Sequence, residues 1–238
     1  MKRILHKIPE RLRGPALYAT AAVMFSLVII DIRLVTEHMN PLQVVFFRNL
    51  FAVMFMLPWI LKGGGSIFKT NRLGKHLVRA SLGLVAMYLW FFAVSVLPLA
   101  DAVSLNFTVP IFATIGAVLF LREKVGYHRW GATLFGFFGV MVILRPGFTE
   151  ISPLMSLPII AAIFMASTAL LVKSLSRTES TVTIMAYMNV LLTPLSLLPA
   201  LYVWQWPTWE VLGLLVLLGG LVCMAHYVFT QSYKYADA

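Results

Sequence analysis

What most constrains this chain is the regular return of apolar runs about 20 residues long, each closed by a short polar connection. A helix that crosses the hydrocarbon core needs roughly 20 mostly apolar residues. By that rule spans fall near 16–36, 42–61, 77–97, 102–121, 127–145, 152–173, 181–203 and 209–231. The connections hold turn residues, among them Asn40-Pro41, Gly63-Gly64-Gly65, Arg145-Pro146-Gly147 and Trp206-Pro207. Composition closes off the soluble alternative, because 60% of the 238 residues are hydrophobic and only 12% are charged. A globule in water must still cover itself with polar groups, whereas a lipid-facing surface removes that need. The expected fold is all-α and transmembrane, with about eight helices.

The formal net charge is +10, yet no basic stripe interleaved with aromatics lies on any one element, so nucleic acid is not an expected partner. The basic residues instead cluster in alternate connections. Lys2, Arg3, Lys7, Arg11 and Arg13 precede the first span, and Lys62, Lys69, Arg72, Lys75 and Arg79 follow the second. Arg122, Lys124 and Arg129 follow the fourth, Lys173 and Arg177 the sixth, and Lys234 the eighth. Sixteen of nineteen basic residues thus fall on one side, which the positive-inside rule makes the cytoplasm, with the N-terminus inside. A bacterial inner membrane is the expected location. Trp59, Trp130, Trp204, Trp206 and Trp209 fall at span ends, where an interfacial aromatic belt belongs. The first apolar run is too long for a signal peptide and lacks a small-residue cleavage site, so it reads as an uncleaved span. Cys223 is the sole cysteine, which excludes a disulfide or thiolate metal site within one chain.

An internal repeat organises the spans. Phe46-Phe47-Arg48-Asn49-Leu50 through Leu57-Pro58 aligns with Tyr187-Met188-Asn189-Val190-Leu191 through Leu198-Pro199. In the same register Met24 and Ser26 fall on Met165 and Ser167, and Ala100-Asp101-Ala102 recurs as Ala236-Asp237-Ala238. The repeat has five helices, and an odd number inverts the second copy in the membrane. The chain then divides into a basic N-terminal segment (1–14), a first repeat of five spans (15–147) and an incomplete second repeat of three (152–238). By this arithmetic we expect a truncated form of a ten-helix protein, short by two helices or roughly 50 residues.

With those residues in hand, the chain resembles the EamA family of the drug/metabolite transporter superfamily. The resemblance rests on the stretch from Arg79 through Ala100-Asp101-Ala102, the Pro110 helix, Leu121-Arg122-Glu123-Lys124, and Gly131 and Gly136 to Gly139, with Phe47-Arg48 in the second span. It implies ten helices in two inverted halves, a central cavity, alternating access, and transport of small organic solutes such as amino acids and other metabolites.

Several residues are candidates for the work. Pro110 lies within the fourth span, where it lacks an amide hydrogen and crowds the carbonyl of Asn106. By helical rise it sits about 12 Å deep, near the midplane where transporters bind substrates. Asn106 and Thr108 add polar groups there; the alternatives are a cavity lining or a kink that Thr108 satisfies locally. Asp31 and Arg48 are charges within spans, which are costly in lipid. Both lie roughly 7–9 Å below the outer surface, so they are placed to pair with each other, or Asp31 with Arg33. Otherwise Arg48 attracts an anionic substrate group and Asp31 carries a coupling proton. Asp101 suits the positive end of the helix it opens. Glu123, between Arg122 and Lys124, is an interfacial charge or part of a gate. Trp90, with Tyr88 and Phe91 beside it, stacks on a flat or cationic ligand or simply packs. On the eighth span His226, read as the only intramembrane histidine, and Tyr227 are polar; the histidine titrates near neutral pH or makes one interhelical hydrogen bond. Gly131, Gly136 and Gly139 suit close helix packing.

A membrane metalloprotease would need two histidines and a glutamate at helical spacing, and the chain has no such set. No cofactor, metal or nucleotide-binding loop is implied, and no enzyme. The reading is a secondary transporter whose partners are a small-molecule substrate, the lipid bilayer and a coupling proton. The alternative is a non-transporting scaffold, or a half-transporter that forms a homodimer; solute flux separates the two.

Overall fold

The computed structural model describes residues 9–122, 126–144 and 152–236. Every regular element among them is helical. In chain order these are α1 (Glu10–Thr36), α2 (Pro41–Gly63), a 3-10 turn (Gly64–Phe68), α3 (Leu73–Val96), α4 (Leu99–Asn106), α5 (Val109–Leu121) and α6 (Tyr127–Leu144). A 3-10 turn (Pro153–Met155) then leads into α7 (Ser156–Ser176), followed by α8 (Thr181–Tyr202) and α9 (Trp209–Ala236). Among the described residues seven spans, with α4 and α5 forming one of them, are long and apolar enough to cross a membrane. The remaining helix, α6, has 18 residues and so reaches about 27 Å. The expected all-α transmembrane fold is borne out, with span limits within a few residues of those expected.

Local chemistry sets the helix ends. Asn40 caps α2 by accepting from the Leu42 amide at 3.0 Å, and Pro41 occupies the first turn, where its missing amide costs nothing. Gly64 ends α2 at φ +55°, a left-handed conformation glycine adopts freely. Ser180 caps α8 by accepting from the Thr183 amide at 3.0 Å. Asp101 lies in the first turn of α4, where the dipole favours it, and the N-cap residue, Pro98, makes no side-chain cap bond. Within the helices, hydroxyls turn back onto their own backbone: Thr20 to the Ala16 carbonyl, Ser26 to Ala22, Thr114 to Pro110 and Ser167 to Ile163. That removes polar groups from lipid contact without a partner helix.

The span expected at 102–121 is interrupted. Phe107 and Thr108 form a turn between α4 and α5, and Pro110 sits in the first turn of α5 rather than inside a continuous helix. Proline is tolerated at a helix start and breaks a helix interior, so its ring sets the position of the break.

The helices form two compact bodies. One comprises the described residues up to Leu77 and from Val172 onward; the other is Val78–Leu171. In the first, α1 packs along α9, α2 along α8, and α9 also against α2. Leu17 and Ala21 of α1 meet Val228 of α9 in one buried cluster. Met56 and Ile67 meet Met185, Ala186 and Cys223 in another. At one end of this body Gln43 donates to the Gln205 carbonyl and accepts from the Gln205 amide at 3.2 Å, which ties the α8–α9 connection to α2. Trp204 packs on Phe46, Phe47 and Trp206 there, at ring separations of 5.4–5.8 Å. At the other end Thr70 donates to Glu179, joining the α2–α3 and α7–α8 connections. These two connections share a side, as the charge pattern expects.

In the second body α4 and α5 pack on α6. The Cβ direction of Gly83 on α3 faces the Thr168 methyl of α7 at 3.8 Å, and Gly116 on α5 abuts Leu170 of α7. Gly131, Gly136 and Gly139, expected to pack closely, do not: a methyl group added at any of them would meet no other atom within 4 Å among the described residues. They lie on the helix that carries the exposed Phe135 and Phe138. The closest backbone approach falls instead at Gly219 of α9, against Phe51 and Ala52 of α2.

Candidate functional site

The sequence candidates divide between the two bodies. In the second body are Tyr88 and Trp90 on α3, Asn106 at the end of α4, Thr108 in the turn, and Pro110 opening α5. The turn is satisfied locally: the Thr108 hydroxyl donates to the Leu105 carbonyl at 2.7 Å, and the Thr108 amide reaches the same carbonyl at 3.1 Å. Pro110 is exposed and Thr108 is buried. Asn106 is different. Its side-chain oxygen is buried and accepts no hydrogen bond among the described residues, and the Tyr88 hydroxyl is in the same condition. A buried polar atom without a partner is costly. Trp90 is buried, at 6% exposure.

In the first body are Asp31, Arg48, His226 and Tyr227. The expected Asp31–Arg48 pair is not formed. Both carboxylate oxygens of Asp31 are buried without a hydrogen bond or ion pair among the described residues. Nor does Arg33 serve, because it faces Glu37 one turn on, at 3.7 Å. Helix rotation is the reason: similar depth on neighbouring helices does not make two side chains face each other. Arg48 points along its own helix, where its guanidinium donates to the Asn49 carboxamide oxygen. The Asn49 amide in turn reaches Ser196 Oγ of α8 at 3.4 Å, and Ser196 donates to the Leu192 carbonyl at 2.7 Å. A buried charge is thereby led through an amide to a hydroxyl on the facing helix, which spreads it over several dipoles.

His226 is half-buried, its ring edge-on to Phe25 of α1 at 5.2 Å. Tyr227 packs against both apolar clusters of this body. His226 is not the lone histidine in a span: α3 begins at Leu73, so His76 falls inside it, 1% exposed and stacked on Tyr187 at 4.4 Å. Glu123 lies outside the described residues, as do Asp237 and Ala238 of the second Ala-Asp-Ala triad.

Reading the sequence does not single out Gln43, Asn49, His76, Asn189 or Ser196 as buried polar groups. One signal is present, since the repeat alignment sets Arg48 on Asn189, which is buried and donates to Met56 Sδ at 3.2 Å and to the Met185 carbonyl at 3.1 Å.

Comparison with known proteins bears on what this arrangement belongs to. The model of the EamA-like transporter family matches residues 12–145. A protein of Vibrio cholerae named riboflavin transporter is 39% identical over 190 residues, covering 79% of this chain. A protein of Rickettsia bellii named S-adenosylmethionine uptake transporter is 29% identical over 200 residues, covering 84% of it. The chain spans 64% of the length of the Vibrio protein and 69% of the Rickettsia one. A solved crystal structure superposes with a TM-score of 0.65 over 95% of this chain and 83% of its own, at 19% identity, a likeness of fold. With a family model matched over more than half its length and its helices long enough to span a bilayer, this multi-pass membrane chain belongs to the EamA-like transporter family.

Proposed function

We propose that the chain is the larger part of a bacterial inner-membrane carrier, N-terminus in the cytoplasm, that moves a flat, hydrogen-bonding metabolite of the riboflavin type by alternating access. The observation that carries this reading is the 39% identity to a riboflavin transporter. Riboflavin is an uncharged tricyclic ring with a polyol tail. It needs an aromatic face and neutral hydrogen-bonding groups, which Trp90, Tyr88 and Asn106 offer. The architecture is read as two inverted five-helix copies. Packing supports it: α1 lies on α9, α3 approaches α7, and α2 lies on α8, and a two-fold axis in the membrane plane would exchange the first two pairings and map the third onto itself.

The test is uptake of labelled riboflavin by a riboflavin auxotroph expressing the chain, alone and extended by its two further helices. Uptake by the extended form, with Trp90→Ala raising the half-saturating concentration about three- to tenfold, is the expected result. Uptake of S-adenosylmethionine in its place would favour the second reading, which the Rickettsia relative supports. No flux of either solute through a correctly inserted protein would favour a scaffold.

Asp31 is the proposed carrier of a coupling proton, being a carboxylate buried without a partner. Asp31→Asn keeps the shape and removes the titration. We expect the variant to fold, and its uptake to lose its response to an imposed pH gradient. Uptake that still follows the gradient in this variant would exclude Asp31 from coupling.

A further inference from the structure

Between Lys62 and Leu77 the sequence has four cations and no acid, and between Lys173 and Glu179 it has two cations and one acid. The fold draws these separate segments together. The Thr70 hydroxyl donates to Glu179 Oε1 and accepts from the Arg72 amide at 2.9 Å. Lys75 Nζ donates to Ser174 Oγ at 2.8 Å. The Tyr187 hydroxyl donates to the Phe68 carbonyl at 2.6 Å, with His76 stacked on its ring. The result is one end of the first body where a connection carrying Lys62, Lys69, Arg72 and Lys75 is bonded to one carrying Lys173 and Arg177, and the one acid in these two stretches of sequence, Glu179, is engaged by Thr70. A groove of about 400 Å³, lined by Phe68, Lys69, Thr70 and Asn71, opens there.

Beside this polar end the flanking helices turn apolar side chains outward: Trp59 and Leu61 on α2, Leu73 and Leu77 on α3. A receptor for a soluble anion needs only the cations. Cations next to an exposed apolar strip match a molecule with an anionic head and hydrocarbon tails. The same charges orient the protein in the membrane, but orientation requires only that they lie on one side. It does not require the α2–α3 connection to be bonded to the α7–α8 connection beside a groove of its own.

We propose that this end is a binding site for an anionic phospholipid, its phosphate among Lys69, Arg72 and Arg177 and its acyl chains along Leu61, Leu73 and Leu77. The site is independent of the transported solute. Each cation near an anionic headgroup contributes a factor of about five.

The measurement is native mass spectrometry of the purified protein in mild detergent, with phosphatidylcholine, phosphatidylglycerol or cardiolipin added at equal concentration. The unaltered protein should retain the anionic lipids at least about tenfold better than phosphatidylcholine, and lose the preference in about 0.5 M sodium chloride, where screening shortens to a few Å. The variant Lys69→Gln/Arg72→Gln/Arg177→Gln should lose most of it, and Lys69→Arg should keep it. If the triple variant does not fold, Lys69→Gln alone, at an exposed position, and the salt titration of the unaltered protein decide. Equal retention of phosphatidylcholine, or a preference unchanged in the glutamine variants, would overturn the proposal. So would displacement of the lipid by inorganic pyrophosphate at equal concentration, which would identify a soluble-anion site.

Discussion

Replacing Gly219 with leucine should prevent the first body from assembling. A Cβ at this position falls on the Cβ of Phe51, 3.0 Å from the Phe51 carbonyl carbon and 3.1 Å from the Ala52 amide nitrogen. Two of those atoms are backbone and cannot rotate away, so α9 would have to retreat from α2. It cannot retreat cheaply, because α9 is also the helix on which α1 packs. Overpacking a well-filled interior costs about 1–3 kcal/mol, occasionally more. In a bilayer close van der Waals contact is much of what holds helices together, so the loss has no hydrophobic term to soften it. We expect Gly219→Leu to give little monodisperse protein on size-exclusion chromatography. Gly213→Leu, six residues earlier on the same helix with nothing within 4 Å, should elute like the unaltered protein. Gly136→Leu, at a glycine whose sequence context suggests close packing, should do the same. Identical elution of the Gly219 and Gly213 variants would refute the assignment of this contact.

The second large effect is expected at Asn49. Arg48 is 3% exposed and Asn49 is fully buried, and the carboxamide stands between the guanidinium and Ser196 of α8. Asn49→Leu removes the acceptor and leaves a buried charge short of a partner. Hydrogen bonds to charged groups contribute about 1.5–3 kcal/mol, which for a chain of this size corresponds to a melting temperature lower by roughly 5–10 °C. Ser196→Ala should change it little, because the Ser196 hydroxyl also bonds its own helix. The double variant Arg48→Met/Asn49→Leu should recover most of the loss, since replacing both members of a buried polar pair by apolar groups is often close to neutral. If Arg48 also attracts substrate, the double variant will be stable and will not transport. A single Asn49→Leu variant that melts with the unaltered protein would show that the pair is not structural.

The residues legible in the sequence and those hidden in it differ in kind. Arg48 and Asp31 stand out because a charge inside an apolar run is rare and demands an account. Pro110 stands out because its missing amide has a local consequence, although the structure converts the expected kink into two separate helices. Asn49, Ser196 and Gln43 do not, because amides and hydroxyls are common in helices. Their importance comes from partners 147 residues away for Asn49 and 162 for Gln43. His76 escapes notice because the apolar run of the third span opens just after it, while the helix itself starts at Leu73.

Apolar length, charge placement and motif order are properties of the chain read locally, and the bilayer rewards them before any helix meets another. For that reason the limits of the spans, the gathering of basic connections at alternate loops, and the family could all be read from residues in order. Three features could not: that Gly219 rather than Gly131 or Gly136 is the close contact, that Asp31 and Arg48 do not pair, and that two basic connections are bonded to each other. Each depends on how a helix is rotated about its axis and which neighbour it meets. A difference of one residue, about 100° of rotation, changes the answer without changing the apolar run that holds it.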